Sequence, residues 1–183
     1  SKSIIMRFLF LTLVFVFQLC CSEEKNINDD ITLVSPINLD HALALVDSIV
    51  IDDQNLTFIW IYADAPSYEP IGASGEGITC VDDVGRFMEV LETEILVYGK
   101  NELIPIAEGM TRFLLYMSRD DGLWYNFMFE NGSINTAHQN SIAEFGWWAV
   151  RGLRGLTSAY NIFEDQIGYT DFVVNIENRI NSA

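Results

Sequence analysis

Basic residues are scarce in this chain: 10 Lys and Arg stand against 26 Asp and Glu, a formal charge of −16 over 183 residues. Phosphate backbones are bound through clustered Lys and Arg, so nucleic acid is excluded as a partner and polyanionic substrates with it. Neutral glycans and protein partners stay open. Cysteine is rarer still, with 3 in the chain. Two of them, Cys20 and Cys21, adjoin an N-terminal apolar stretch, which leaves Cys80 alone in the body and excludes an intrachain disulfide framework there. The 2 histidines, His41 and His138, stand far apart without a ligand-spaced neighbour. That spacing does not suit a zinc site, and neither a metal nor a cofactor is expected. A Gly-x-Ser-x-Gly elbow, a phosphate loop and a dinucleotide fingerprint are all missing. So is an apolar run of the roughly 20 residues that a membrane-spanning helix needs.

What is present begins with a processing signal. Arg7 precedes an apolar run from Phe8 to Phe17, and polar Gln18 leads into Cys20-Cys21-Ser22-Glu23-Glu24-Lys25. This order of basic, apolar and small residues is that of an export signal rather than of a core helix. The cysteine after the apolar run resembles a lipobox, in which the thiol takes a diacylglycerol and becomes the new N-terminus. Cys20 can serve as the small residue before Cys21, so lipidation is assigned to Cys21, with Cys20 as the alternative. Met6, followed at once by Arg7, suits a translation start. Residues 1–21 are thus expected to be a lipoprotein signal peptide and 22–36 a polar tether. The expected address is the bacterial cell envelope, periplasmic or at the cell surface, with a lipid anchor in the membrane. Loss of Lys2 and Arg7 with the signal moves the formal charge from −16 to −18.

Half of the residues are hydrophobic, ample for one core in the body at 37–183. From Leu39 an apolar stripe through Ala42, Leu43, Val46 and Ile49 predicts a helix ending near Asp52-Asp53. Leu56 to Tyr62 is β-branched and aromatic, which predicts an extended run before the Pro- and Gly-rich loop from Pro66 to Gly77. Thr79 as N-cap, with Asp82 three residues on, predicts a helix over 80–98 that faces Val81, Val84, Met88, Leu91 and Ile95 inward. Pro105 opens the next helix, with Met110, Phe113, Leu114 and Met117 facing inward. Leu123 to Phe129 reads as extended before an Asn131-Gly132 turn, and a long helix is expected over 136–163. Gly146, Gly152 and Gly155 each weaken that helix by about 1 kcal/mol relative to Ala, which points to close helix packing as their use. Helices in succession with sparse extended links predict an all-α fold.

Carboxylates gather where the Gly-rich loop meets the helix. Glu76, Asp82 and Asp83 are there, with Arg86 one turn after Asp82. Acids in such a position can act as general acid and base, although Asp82 is equally explained as a cap or as the partner of Arg86. Trp60, Tyr62, Tyr68, Trp124, Tyr125, Trp147 and Trp148 offer rings for sugar stacking, with core filling as the alternative use. Asn126 sits between Tyr125 and Phe127, where its amide needs partners. Cys80 is explained as a small residue in a first helical turn rather than as a nucleophile.

Several of these segments together resemble a known superfamily: Tyr62-Ala63-Asp64, the run Glu76-Gly77-Ile78-Thr79-Cys80-Val81-Asp82-Asp83-Val84-Gly85-Arg86, then Trp124-Tyr125-Asn126-Phe127 and Gly146-Trp147-Trp148-Ala149-Val150-Arg151. The resemblance is to the six-hairpin, or (α/α)6-toroid, glycosidases and to helical toroid proteins found with bacterial glycan-processing enzymes. It spans about Tyr62 to Tyr160 and implies a partial (α/α) toroid of helical hairpins with a glycan cleft. It implies hydrolysis of a neutral poly- or oligosaccharide by general acid/base chemistry. Glu76 and Asp83 would be the catalytic acids, and Asp82, Arg86, Tyr62, Tyr125 and Asn126 would bind substrate. A closed ring of some twelve helices needs roughly 300 residues, so 37–183 is expected to be the N-terminal part of one. The competing expectations are a glycan-binding lipoprotein without turnover and a structural or protein-interaction lipoprotein.

Overall fold

A computed structural model describes residues 33–183. The expected export signal, the lipidation expected at Cys21 and most of the expected tether lie outside the described residues.

The first described helix, α1 (Asp40–Ala44), is a single turn that gives way at once to a hairpin of β1 (Val46–Ile51) and β2 (Gln54–Ile59). The register runs from Val46 opposite Ile59 to Ile51 opposite Gln54, which leaves Asp52 and Asp53 as a two-residue turn. Both have positive φ, 49° and 62°, the backbone that a type I′ hairpin turn requires and that Asp tolerates better than most residues. The helix expected to run to Asp52 is therefore corrected to one turn and a strand. Its apolar stripe is carried by Val46, Ile49, Val50 and Ile51, whose branched Cβ atoms favour a pleated strand.

A second, shorter hairpin pairs β3 (Tyr62–Asp64) with β4 (Glu69–Ile71), of which β4 lies inside the segment read as loop. A third pair joins distant parts of the chain: β5 (Thr79–Cys80) lies antiparallel to β6 (Phe127–Met128), with Cys80 opposite Phe127. Helix α2 (Val81–Leu96) leaves directly from β5, α3 (Ile104–Met117) follows a 3-10 turn at Asn101–Leu103, and α4 (Trp147–Phe163) and α5 (Thr170–Asn181) close the order.

Helix α2 has Cys80, not Thr79, at its N-cap, because the β5–β6 ladder runs through both residues and the chain turns helical only at Val81. The long helix expected from Thr136 begins only at Trp147, after an N-cap at Gly146. The chain between is used otherwise: the Ser141 hydroxyl accepts the backbone N–H groups of Asn126 and Phe127 at 2.9 and 2.8 Å. Helix α5 carries Phe172, Val173, Ile176 and Ile180 toward the core, a stripe at helical spacing for which no element had been assigned.

The core joins β2 to the inward faces of α2, α3 and α4, around Leu56, Phe58, Met88, Leu91, Phe113 and Leu156. Helix α2 packs chiefly on α4, not on its chain neighbour α3. Glycines permit this approach. A Cβ on Gly85 would run into the Arg151 carbonyl, and one on Gly152 into the Trp124 ring. The packing use expected for Gly152 and Gly155 is what the structure displays.

These features correct two expectations. The fold is mixed α/β, not all-α, because three two-stranded antiparallel sheets stand beside the helices. A toroid of helical hairpins is not formed among the described residues. Five strands stand between the first and second of the five described helices, and the longest two helices pack across the chain rather than as successive hairpins. The family likeness therefore does not carry over to the fold, and the roles it implied for individual residues lose that support.

Candidate functional site

The β5–β6 ladder fixes where α2 starts. The Val81 N–H donates to the Asn126 carbonyl at 2.9 Å and the Ile78 N–H to the Met128 carbonyl at 2.9 Å. The end of β2 is tied to the same place, since the Ile61 N–H donates to the Ile78 carbonyl at 2.9 Å. Trp60 thereby comes alongside the first two turns of α2. Between them runs an open groove of about 310 Å³, lined by Trp60, Asp83, Arg86, Phe87 and Val90 together with residues from the hairpin side.

The two acids at the head of α2 have different surroundings. Asp82 is 7% exposed and is held by Arg86, which also donates Nε–H to its Oδ1 at 3.2 Å, and by Arg151, whose Nε is 3.4 Å away. It is a buried acceptor for two guanidinium groups from two helices. Asp83 is about one third exposed and 3.6 Å from Arg86. It lines the groove. The other contact of Asp83 is the Cys80 thiol, which donates to Oδ2 at 3.2 Å. Burial, and then the Asp83 charge, push that thiol well above its ordinary pKa, which favours the protonated form over the thiolate that a nucleophile needs.

Glu76 belongs to a separate cluster. Its Oε1 lies 4.0 Å from His138 Nε2, and its backbone carbonyl accepts the Asn135 amide at 2.7 Å. Asn135 also donates to the Gly75 carbonyl at 3.0 Å and accepts the Ala137 and His138 N–H groups. This side chain latches the Gly-rich loop to the segment after β6. Gly77 is required at the junction: its φ is 153°, and a Cβ there would strike the Met128 carbonyl.

The other expected substrate contacts do not meet the groove. Tyr62 is exposed, in β3 opposite Ile71. Tyr125 accepts a hydrogen bond from Arg119 Nη1 at 3.2 Å and lies beneath that guanidinium. Asn126 is fully buried, and neither atom of its side-chain amide has a partner among the described residues. Of the seven positions, the groove brings together Asp83 and Arg86, with Asp82 behind them. Trp60 had been noted only among the aromatics, and its place beside Asp83 depends on a β2–β5 contact with no sequence signature. Arg151 had no assigned role, because nothing local links it to Asp82.

Among the described residues no group of three or more His, Cys, Asp and Glu side chains is placed to hold a metal ion, and no helix is long and apolar enough to cross a membrane. No protein-family model matches the chain, and no curated protein matches it.

Proposed function

We propose that this chain is a lipid-anchored envelope protein that captures a neutral glycan in the groove between Trp60 and the head of α2, without cleaving it. The observation that carries the reading is an indole beside a partly exposed carboxylate and guanidinium, Asp83 and Arg86, in an open groove. A sugar ring offers an apolar face to an aromatic and hydroxyl groups to a carboxylate, and these three side chains supply both. The volume suits a short stretch of glycan rather than a long one. The acidic net charge is compatible with an uncharged ligand.

Capture is favoured over hydrolysis by the count of acids. Glycoside cleavage ordinarily uses two carboxylates across the scissile bond, and Asp83 is the one carboxylate among the residues lining the groove. Glu76 faces His138 instead. The anchor rests on the run from Arg7 to Cys21.

The test is binding of the purified protein to an array of neutral poly- and oligosaccharides, followed by calorimetry on the best ligand and analysis for released sugar. Binding without release is expected. Trp60→Ala and Asp83→Asn should each weaken it about tenfold, the worth of one stacking or charged hydrogen-bond contact. Release of sugar, or binding untouched by both substitutions, would refute the reading.

A further inference from the structure

A second and larger cavity, about 620 Å³, opens where the β1–β2 hairpin, α3 and α5 meet, and it shares no lining residue with the groove. Ile51 and Leu56 from the hairpin, Leu115 from α3 and Phe172 from α5 are the apolar part of its lining. Two of the chain's few basic residues converge on it, Arg112 and Arg179, with Asn175 and Asn178 alongside. In a chain this acidic, that convergence needs an explanation.

The two guanidinium groups are unequally compensated. Arg112 donates to Glu108 at 2.6 Å and lies over the Phe172 ring, 4.9 Å from its centroid. Arg179 is 16% exposed, and its ion-pair partner among the described residues is Asp120, 2.9 Å away on a side chain fully exposed to water. Water screens such a pair strongly. The other terminal nitrogen of Arg179, Nη1, is buried and has no acceptor among the described residues. A second anion in the cavity competes for this guanidinium with a solvated Asp120, and turning Nη1 toward it satisfies a donor that is otherwise buried unpaired. The acids at the rim, Asp52 and Asp120, limit how much negative charge can enter.

We propose that this cavity binds a small monocarboxylate with an apolar body, its carboxylate on Arg179 and its body against Leu56, Leu115 and Phe172. A planar carboxylate matches the fork of a guanidinium. One negative charge fits the cavity where a dianion meets Asp52 and Asp120.

Calorimetry and ligand-observed NMR on the intact chain test this with benzoate and hexanoate, each against its uncharged amide, and with inorganic phosphate. Benzoate or hexanoate should bind, and the amides and phosphate should bind about tenfold more weakly or not at all. Arg179→Met should weaken carboxylate binding about tenfold, and Arg179→Lys should recover only part of it, since the ammonium keeps the charge and loses the fork. Asn175→Leu narrows the cavity while leaving both arginines in place, and should also abolish binding if Arg179→Met proves unable to fold. Absence of carboxylate binding, equal binding of amide and acid, preference for phosphate, or retention of affinity in Asn175→Leu and a folded Arg179→Met would each overturn the proposal. Neutral-glycan binding is measured in the same samples and is expected to be unaffected, which keeps the two sites separable.

Discussion

Lys100→Met should destabilise the protein by about 3 kcal/mol at pH 7, through a buried carboxylate whose one cationic partner among the described residues is Lys100. Glu94, on α2, is fully buried. Its Oε1 accepts the Ser35 hydroxyl at 2.6 Å, and its Oε2 lies 2.6 Å from Lys100 Nζ. Removing one partner of a buried pair costs about 3–5 kcal/mol, because the remaining charge stays out of water. The lower end applies here, since Ser35 remains and Lys100 is itself one third exposed. Lys100 and then Ser35 hold the Glu94 carboxyl below its ordinary value, against the opposing effect of burial. A carboxyl with a folded pKa below its unfolded one stabilises fully above the unfolded value, about 4.3, and loses that contribution as pH falls through the folded value. In the variant the carboxyl can take up a proton at a higher pH than in the parent, so the stability gap should narrow from pH 7 toward pH 4. Urea unfolding followed by fluorescence of the buried Trp124 and Trp148 reads the gap. Glu94→Gln combined with Lys100→Met should cost less than Lys100→Met alone. A gap below about 1 kcal/mol at pH 7, or one that is flat between pH 7 and pH 4, would refute the reasoning.

Gly152→Ala should destabilise by about 2 kcal/mol, because the added methyl meets the Trp124 ring where α4 crosses it; a thermal melt within a degree of the parent would contradict that. Asp82→Asn should cost about 1.5 kcal/mol, since it weakens a hydrogen-bonded pair with Arg86 and an ion pair with Arg151 on a buried acid. Asp83→Asn, on a partly exposed acid 3.6 Å from Arg86, should stay within about 0.5 kcal/mol of the parent. Equal losses at both positions in urea unfolding would show that the two acids are not separable in the way their burial suggests.

Local periodicity made α2 and α3 legible. In α2 the apolar residues Val81, Val84, Met88, Leu91 and Ile95 recur at helical spacing, and all are buried. In α3, Pro105 in the first turn marks the start. Errors concentrated where a short segment satisfies two periods. Val46 and Ile49 fit a helical stripe, and with Val50 and Ile51 they also make a β-branched strand. The two positive-φ aspartates then favour the hairpin by closing it in two residues. The segment from Thr136 to Gly146 reads as the start of a helix, yet Ser141 within it and Asn135 just before it are drawn into long-range hydrogen bonds with Asn126, Phe127 and the Gly-rich loop. Neither partner is near in sequence, so no local pattern could reveal the competition. Ser35 shows the same limit: it sits in a polar run that reads as tether, but its hydroxyl is engaged by Glu94.

The run from Glu76 to Arg86 looked like one catalytic motif, and the fold divides it among several structural tasks. Gly77 lets the chain pass the Met128 carbonyl, and Thr79 and Cys80 pair with Met128 and Phe127. Gly85 admits α4, and Asp82 joins α2 to α4 through Arg151. The Glu76 carbonyl anchors the Asn135 latch. Each of these residues would be needed by the fold whether or not the protein bound anything. Asp83 differs. Its contacts are with the Cys80 thiol and, at 3.6 Å, with Arg86, which already serves Asp82, and both are local along the chain. A partly exposed acid with so little structural work, held at a fixed place beside Trp60, is where a functional constraint can be separated from a folding one. That separation makes Asp83 the residue on which the glycan-capture reading stands or falls.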